Sequence, residues 1–404
     1  MINRELYMSR IRPFIGDELI KVITGLRRSG KSVMMELVRQ ELLASGIPKE
    51  NVISYNFESM SYAHLRTAEA LRADILLAVS ALEGKVYLFF DELQEVAEWE
   101  RCINSLRVEL NCDIYITGSN AKLLSGELAT YIAGRYVEFT IYPFSFAEFL
   151  PLYQTTVPSA SARDAFMRYL TLGGMPYLRN LDYDEAPSLQ YLLDLFNSVV
   201  LKDIVQRNGI RDVDLLQRII AYVVGHVGTT FSASSITKYL KNEGRSVSAE
   251  TVQNYIKACE DAFLLYRAKR QDIKGKKILA INEKYYIVDQ GLREAIYGGG
   301  MRDINLVLEN MVFMELLRRG YTITVGKVDE NEIDFIGEKQ GQKVYVQVSY
   351  LLASEETIRR EFDVYSKVRD NFPKFVVSLD DIDMSREGIK HMNIRDFLLA
   401  DSWD

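Results

Sequence analysis

The sequence predicts an α/β protein whose N-terminal part is a parallel sheet layered between helices. Three observations carry this. Short apolar runs alternate with stretches of helical apolar spacing. One run, Val86–Phe90, is apolar at every position, as expected of a parallel strand covered on both faces. A glycine-rich loop, Gly25–Ser32, separates the first run from the first helical stretch.

In order, Leu19–Thr24 reads as the first strand. Lys31–Leu43 reads as a helix, with Val33, Met34, Leu37, Val38 and Leu42 at apolar positions. Val52–Phe57 is the second strand, and Ala68–Glu83 is a helix with Leu71, Ile75, Val79 and Leu82 on one face. Val86–Phe90 follows, then a helix over Trp99–Leu110 and strands at Asp113–Thr117 and Val137–Tyr142. Strands alternating with helices in this way indicate a three-layered domain. From Phe144 to about Tyr222 the pattern is mostly helical, punctuated by the turn Gly173-Gly174-Met175-Pro176. Ser232–Tyr266 predicts two helices around Asn242–Ser246, with a basic stretch after them. Gly298-Gly299-Gly300 reads as a linker, since three glycines leave the backbone nearly unconstrained. Beyond it come a helix over 305–319, strands near 321–325, 332–336 and 343–349, a helix over 355–370 and a strand over 374–379. That is a second, smaller α/β unit.

A length of 404 residues exceeds what one core sustains, so two or three domains are expected. The 48% apolar and 26% charged composition is ordinary for a folded soluble protein. The longest apolar runs, Val86–Phe90 and Ile219–Gly225, are core-sized and too short to span a membrane. The N-terminus has no apolar stretch of signal-peptide type. Cys102, Cys112 and Cys259 are odd in number and form no C-x-x-C pair, which fits a reducing cytoplasm. Three His and three Cys argue against a zinc site. The net charge of −7 argues against whole-molecule steering toward DNA, so any nucleic-acid contact must come from a local basic patch.

Gly25-Leu26-Arg27-Arg28-Ser29-Gly30-Lys31-Ser32 matches G-x-x-x-x-G-K-S, the phosphate-binding loop. Its glycines let backbone N–H groups wrap phosphates, and the following helix presents its N-terminus to the anion. Lys31 supplies a point charge to the β/γ-phosphates of ATP, and the Ser32 hydroxyl is a magnesium ligand. Arg27, Arg28 and Ser29 lie inside the loop, where the arginines either touch phosphate or face solvent. The third strand ends in Asp91-Glu92. Asp91 is the second expected magnesium ligand, and Glu92 is placed to polarise the attacking water, which points to hydrolysis rather than binding alone. The fourth strand ends in Thr117-Gly118-Ser119-Asn120; Ser119 or Asn120 either contacts the γ-phosphate or the water, or caps the next helix. Arg135, just before the fifth strand, reads either as an arginine finger for a neighbouring subunit or as a surface arginine.

With these motifs in place, the sequence resembles the bacterial and archaeal AAA-type ATPases that carry a C-terminal domain of unknown function. The carrying segments are the loop Gly25–Ser32, Phe90-Asp91-Glu92-Leu93-Gln94, Thr117–Asn120, Gly134-Arg135, Pro143–Phe149, Gly173–Pro176, Tyr285–Leu292 and Leu308–Phe313. The resemblance spans nearly the whole chain. It implies a P-loop ATPase core over residues 1–150, a helical lid over 151–212, a winged-helix unit over 213–300, and a restriction-endonuclease-like domain over 301–404.

Arg267, Lys269, Arg270, Lys274, Lys276 and Lys277 crowd a short stretch that holds one acid, Asp272. They follow a candidate recognition helix and lead toward a strand at Lys277–Ile281, the pattern of a winged helix with a basic wing. Thr251, Gln253, Asn254 and Lys257 are the helix residues expected to face DNA. Six phosphate contacts imply a salt slope of about −5 on log axes. In the last unit, Asp334 within Glu332–Ile336 resembles the first acid of a PD-(D/E)-x-K nuclease core. Gln347 and Ser349 stand where that pattern has its second acid and its lysine. A neutral amide is a poor magnesium ligand, so cleavage is not expected.

The expected function is ATP binding and hydrolysis with magnesium, coupled to DNA handling in an oligomer without membrane attachment. A nucleotide-dependent switch acting through protein partners is the first alternative. An ATP-gated nuclease is the second.

Overall fold

The computed structural model describes residues 2–121, 134–273, 277–298, 303–328 and 331–403. The chain forms two compact units, Met1–Tyr142 with Asp261–Phe263, and Pro143–Glu260 with Leu264–Asp404. No helix among the described residues is long and apolar enough to cross a membrane.

The first unit is built on β1 (Ile20–Thr24), β2 (Val52–Asn56), β3 (Val86–Asp91), β4 (Cys112–Gly118) and β5 (Tyr136–Thr140). Their order across the sheet is β2-β3-β4-β1-β5, and every neighbouring pair is parallel. β1, β3 and β4 are buried at every residue, which explains their near-continuous apolar sequence. The exceptions are paired. Lys21 on β1 is fully buried and donates to Asp113 on β4 at 2.6 Å, while the Gly16 N–H and the Tyr115 hydroxyl satisfy the other carboxylate oxygen. Register puts Thr24 beside both Gly118 and Thr140, and Asn56 beside Asp91. The loops leaving β1, β3 and β4 therefore emerge at one edge of the sheet, beside the point where strand order reverses.

The second unit has a helical layer and a seven-stranded mixed sheet. Helices Phe146–Thr156 and Ala162–Leu172 each open with a capping box, Ser145 with Glu148 and Ser161 with Asp164. The Gly173–Pro176 turn closes the second of them. A Cβ on Gly174 would sit 2.1 Å from the Phe144 carbonyl oxygen, and the Gly174 N–H donates to buried Asp289 at 2.7 Å. A Cβ on Gly291 would meet the Leu172 carbonyl oxygen at 1.9 Å. Three of the segments that carry the family resemblance thus converge as one packing joint.

Helices Ala233–Asn242 and Ala249–Asp261 precede the hairpin β6 (Leu265–Asp272) and β7 (Lys277–Ile287). The sheet continues with β8 (Thr322–Val328), β9 (Asn331–Lys339), β10 (Gln342–Val348), β11 (Lys374–Ser378) and β12 (Lys390–Asn393). Its order is β12-β11-β10-β9-β8-β6-β7. β6 pairs in parallel with β8 over Lys269–Asp272 and Thr324–Lys327. The hairpin expected as a wing is therefore two strands of the C-terminal sheet, and the sequence boundary drawn at 300 passes through a continuous hydrogen-bonded ladder. An open strand edge leaves unpaired N–H and C=O groups, and β8 supplies their partners.

Two other expectations change. The helix expected to reach 370 ends at Asp363 and tightens into a 3₁₀ turn, Val364–Lys367. The apolar rhythm persisted because Val364, Tyr365 and Val368 remain in the core. In the glycine linker, Gly298 ends the helix Gln290–Tyr297 with φ 67°; Gly299 and Gly300 lie outside the described residues.

Candidate nucleotide-binding site

The loop after β1 is shaped by backbone that side chains would obstruct. Gly25 has φ 137°, and a Cβ there would lie 2.2 Å from the Ile141 carbonyl oxygen. Gly30, at φ 104°, turns the chain into the helix Lys31–Ala44. Arg28 also has positive φ, at 66°, and its side chain is exposed, whereas Arg27 pairs with Glu58 at 3.2 Å. The Ser29 hydroxyl is buried with no hydrogen-bond partner among the described residues, in the middle of the glycine-rich loop. Lys31 is buried and donates to the loop's own carbonyls, Gly25 at 3.2 Å and Leu26 at 3.1 Å. Ser32 is exposed in the first turn of the helix. The N–H groups that a helix start leaves without intrahelical partners, a lysine and a hydroxyl are the donor set that a nucleotide triphosphate requires.

Asp91 and Glu92 leave β3 at the same edge. Glu92 sits in the left-handed region at φ 54°, an uncommon conformation for a residue with a side chain. The Lys31 ammonium is 4.0 Å from a Glu92 carboxylate oxygen. Gln94 donates to the other oxygen, and the Ser119 hydroxyl lies 3.5 Å from it. Of the two residues expected to accompany the acids, Ser119 reaches Glu92, and Asn120 is fully buried. The residue that touches both is Thr117. Its fully buried hydroxyl donates to Asp91 and accepts the Glu92 N–H at 2.9 Å. A threonine inside a strand carries no sequence signal beyond ordinary β-propensity, so the sequence alone does not mark Thr117.

Two further residues complete the geometry. Arg4, almost fully buried, donates to the Ser29 carbonyl at 3.2 Å and the Tyr142 carbonyl at 2.9 Å, so the N-terminus braces the loop. Arg135 is exposed and donates to Asn104 at 3.0 Å. It precedes Tyr136, which pairs with Ile20 at the start of β1. Arg135 is therefore at the end of the sheet opposite the loop.

The model of an AAA domain matches residues 17–150, and that of a domain of unknown function matches residues 163–303. An uncharacterized protein of Haemophilus influenzae is 40% identical over 400 residues, covering 99% of each chain. The chain belongs to the AAA-type ATPases that carry a C-terminal domain of unknown function. A second uncharacterized relative, from Methanocaldococcus jannaschii, is 28% identical over 98% of this chain and 88% of its own. Among solved structures, that of Aeropyrum pernix ORC1 in complex with DNA overlaps 75% of this chain and 93% of that chain, at 14% identity and a TM-score of 0.32. That overlap is too loose to add to the assignment.

In this AAA-type ATPase the residues expected to face DNA divide sharply. Gln253, Asn254 and Lys257 are exposed and line a cleft of about 630 Å³, together with Ser232, Ser234 and Arg267. Thr251 is turned into its own helix start, bonded to Ser248. Arg267 pairs with Glu260 and Glu283, both at 3.2 Å, and Arg270 pairs with Glu332 at 3.1 Å. Their charge is already offset, which corrects the picture of a uniformly basic wing. Lys269 is exposed. Lys277 begins β7, while Lys274 and Lys276 lie outside the described residues.

The C-terminal sheet gathers Glu309, Glu332, Asp334 and Lys284. Gln347 does not face outward as a ligand. Its amide accepts the Asp334 N–H at 3.1 Å and donates to Glu361 at 2.9 Å. A second cluster, Ser378, Asp380 and His391, has the residue types of a nucleophilic triad but not its wiring. The Met384 N–H donates to His391 Nδ1 at 3.2 Å, so Nε2 carries the proton and donates to Ser378 at 2.9 Å. Ser378 in turn donates to Asp380 at 2.7 Å. A histidine protonated toward the serine cannot take the serine's proton.

Proposed function

We propose that this protein binds ATP with magnesium at Gly25–Ser32, hydrolyses it, and couples turnover to work on DNA. The observation that carries the reading is the meeting of Lys31, Asp91, Glu92 and Thr117 at one sheet edge, with the Lys31 ammonium 4.0 Å from Glu92. The loop N–H groups, Ser29 and Lys31 hold the phosphates. Lys31 must leave the Gly25 and Leu26 carbonyls to do so. Ser32 and Asp91 offer the oxygen donors that magnesium prefers, and an ion held by them would neutralise charge developing on the phosphates. Glu92 accepts the proton of the attacking water. Thr117 fixes the angle between the two acids. Ser119 is near enough to Glu92 to report on its position, and Asn120 is the further candidate for the γ-phosphate. Arg135 serves a neighbouring subunit, which makes the active species an oligomer. The three described cysteines are free and buried, which supports a reducing, cytoplasmic setting. Glu92→Gln is expected to retain ATP binding and abolish phosphate release; hydrolysis at the wild-type rate defeats the assignment.

DNA coupling rests on Gln253, Asn254, Lys257 and Lys269 and on the basic segment through Lys277. One observation favours a second reading, a nucleotide-dependent switch acting through protein partners: Arg267 and Arg270 are committed to carboxylates. ATPase activity titrated with duplex, single-stranded and branched DNA decides between them. Stimulation supports coupling, and indifference to every form supports the switch.

A further inference from the structure

Three carboxylates from separate stretches of chain converge in the second unit on one ammonium. Lys284, on β7, lies 2.7 Å from Glu332, 3.1 Å from Glu309 and 3.8 Å from Asp334. Its side chain is 5% exposed. We propose that Lys284 is the resident cation of the C-terminal sheet, tethered where these carboxylates would otherwise need a divalent ion.

The remaining bonds of the cluster hold its oxygens around the lysine. Glu309 accepts the Tyr286 hydroxyl at 2.7 Å on the oxygen that also meets Lys284. The second oxygen of Glu332 takes Arg270, and that of Asp334 takes the Val348 N–H at 2.9 Å. Gly228 walls one side, where a Cβ would lie 3.0 Å from the Glu309 carboxylate. Burial alone would drive the proton from Lys284, yet Glu309, Asp334 and Glu332 together hold its pKa above the ordinary lysine value. Burial raises the Glu309 and Asp334 carboxyls, and the ammonium opposes that rise in both.

A hard divalent ion would require several of these same oxygens. A lysine built into the chain competes for them without dissociating, at an effective concentration that free magnesium does not match. Gln347 follows the same logic, its amide spent on Asp334 and Glu361 rather than offered to a metal. Because Lys284 arrives on the hairpin, the same ammonium that offsets part of the cluster's negative charge also fastens β7 to the helix Ile304–Arg318 and to β9. With Arg270 also on Glu332, the cluster is an internally ion-paired joint rather than a hydrolytic centre.

The test uses the full-length protein without nucleotide, with Mn²⁺ binding followed by paramagnetic resonance and unfolding followed by calorimetry. Lys284→Ala strands buried carboxylates. It is expected to lower Tm by on the order of 10 °C, to bind one Mn²⁺ more than wild type, and to regain Tm when Mn²⁺ is added. Lys284→Ala combined with Asp334→Asn should lose the extra ion. If Lys284→Ala does not fold, Lys284→Met with Glu309→Gln and Glu332→Gln removes the ammonium and two of the three carboxylates together, and folding of that variant supports the proposal. Four results overturn it: a wild-type Mn²⁺ site that Asp334→Asn abolishes, an unchanged Tm in Lys284→Ala, no extra ion in that variant, or failure of the triple variant to fold.

Discussion

Replacing Thr117 with valine keeps the shape of the side chain and deletes one hydroxyl that serves both acids. The hydroxyl is fully buried, donates to Asp91 and accepts the Glu92 N–H at 2.9 Å. Its loss leaves a carboxylate oxygen short of a donor and a backbone N–H short of an acceptor, at about 1–3 kcal/mol for each group left unsatisfied. Stability should fall by roughly 2–6 kcal/mol for the two groups together. The catalytic effect arises separately. Glu92 sits in the left-handed region at φ 54°, a conformation that costs about 1–2 kcal/mol. The bond to Thr117 is one of the restraints that hold it there. If releasing Glu92 raises the barrier by that amount, kcat falls roughly 5–30-fold. Lys31 and the loop are untouched, so nucleotide affinity should change little. Steady-state phosphate release alongside binding of a fluorescent nucleotide separates the two quantities. Thr117→Ser restores both hydrogen bonds and should restore kcat. A valine variant with kcat within twofold of wild type, or a serine variant as impaired as the valine one, would refute the reasoning.

Three further outcomes are expected. Arg135→Ala should lower kcat by on the order of 10³ if the guanidinium completes a neighbour's site, and wild-type specific activity should then rise with protein concentration; activity independent of both excludes the role. With Arg267 and Arg270 committed to carboxylates, four candidate phosphate contacts remain in the basic stretch (Lys269, Lys274, Lys276 and Lys277), and the salt slope of DNA affinity should be about −3.6 rather than −5. Burial pushes the Asp289 carboxyl up to about 6 although three backbone N–H groups donate to it. A pKa raised on folding contributes stability that is complete below the unfolded value and lost as pH rises to the folded one. This group should therefore cost about 3 kcal/mol between pH 4 and 6. Urea unfolding of wild type and Asp289→Asn across that range should show their difference changing by this amount, and a constant difference contradicts it.

The first unit was readable because its chemistry and its packing both leave local marks. Strands buried on both faces must be apolar throughout, so Val86–Phe90 announced β3, and β1 to β5 fall within a residue or two of expectation. Phosphate binding needs glycines, a lysine and a hydroxyl in sequence, so the loop declared itself. What stayed hidden is long-range. Arg4 finds its acceptor at Tyr142, and Arg270 finds Glu332 sixty-two residues away. Nothing local in Lys284 marks it as buried, because its partners lie on β9 and on the helix before β8. The pairing of β6 with β8 is hidden for the same reason: a strand's pattern tells which face is apolar, not which edge will be met. β12 and the helix Ile394–Leu399 escaped because Lys390–Asn393 is short and mostly polar.

The shared ladder between β6 and β8 bears on how this protein is inherited. Genes exchange parts at seams where few contacts cross, and the glycines near 300 look like such a seam. A fragment beginning there would carry a bare strand edge at Thr324–Lys327 and three carboxylates without their ammonium. The complementary fragment would keep the lysine and lose the sheet. Division at that point would therefore separate β6 from β8 and Lys284 from all three of its carboxylates. The relatives in a bacterium and an archaeon align over 99% and 98% of the chain, so each spans both sides of that point.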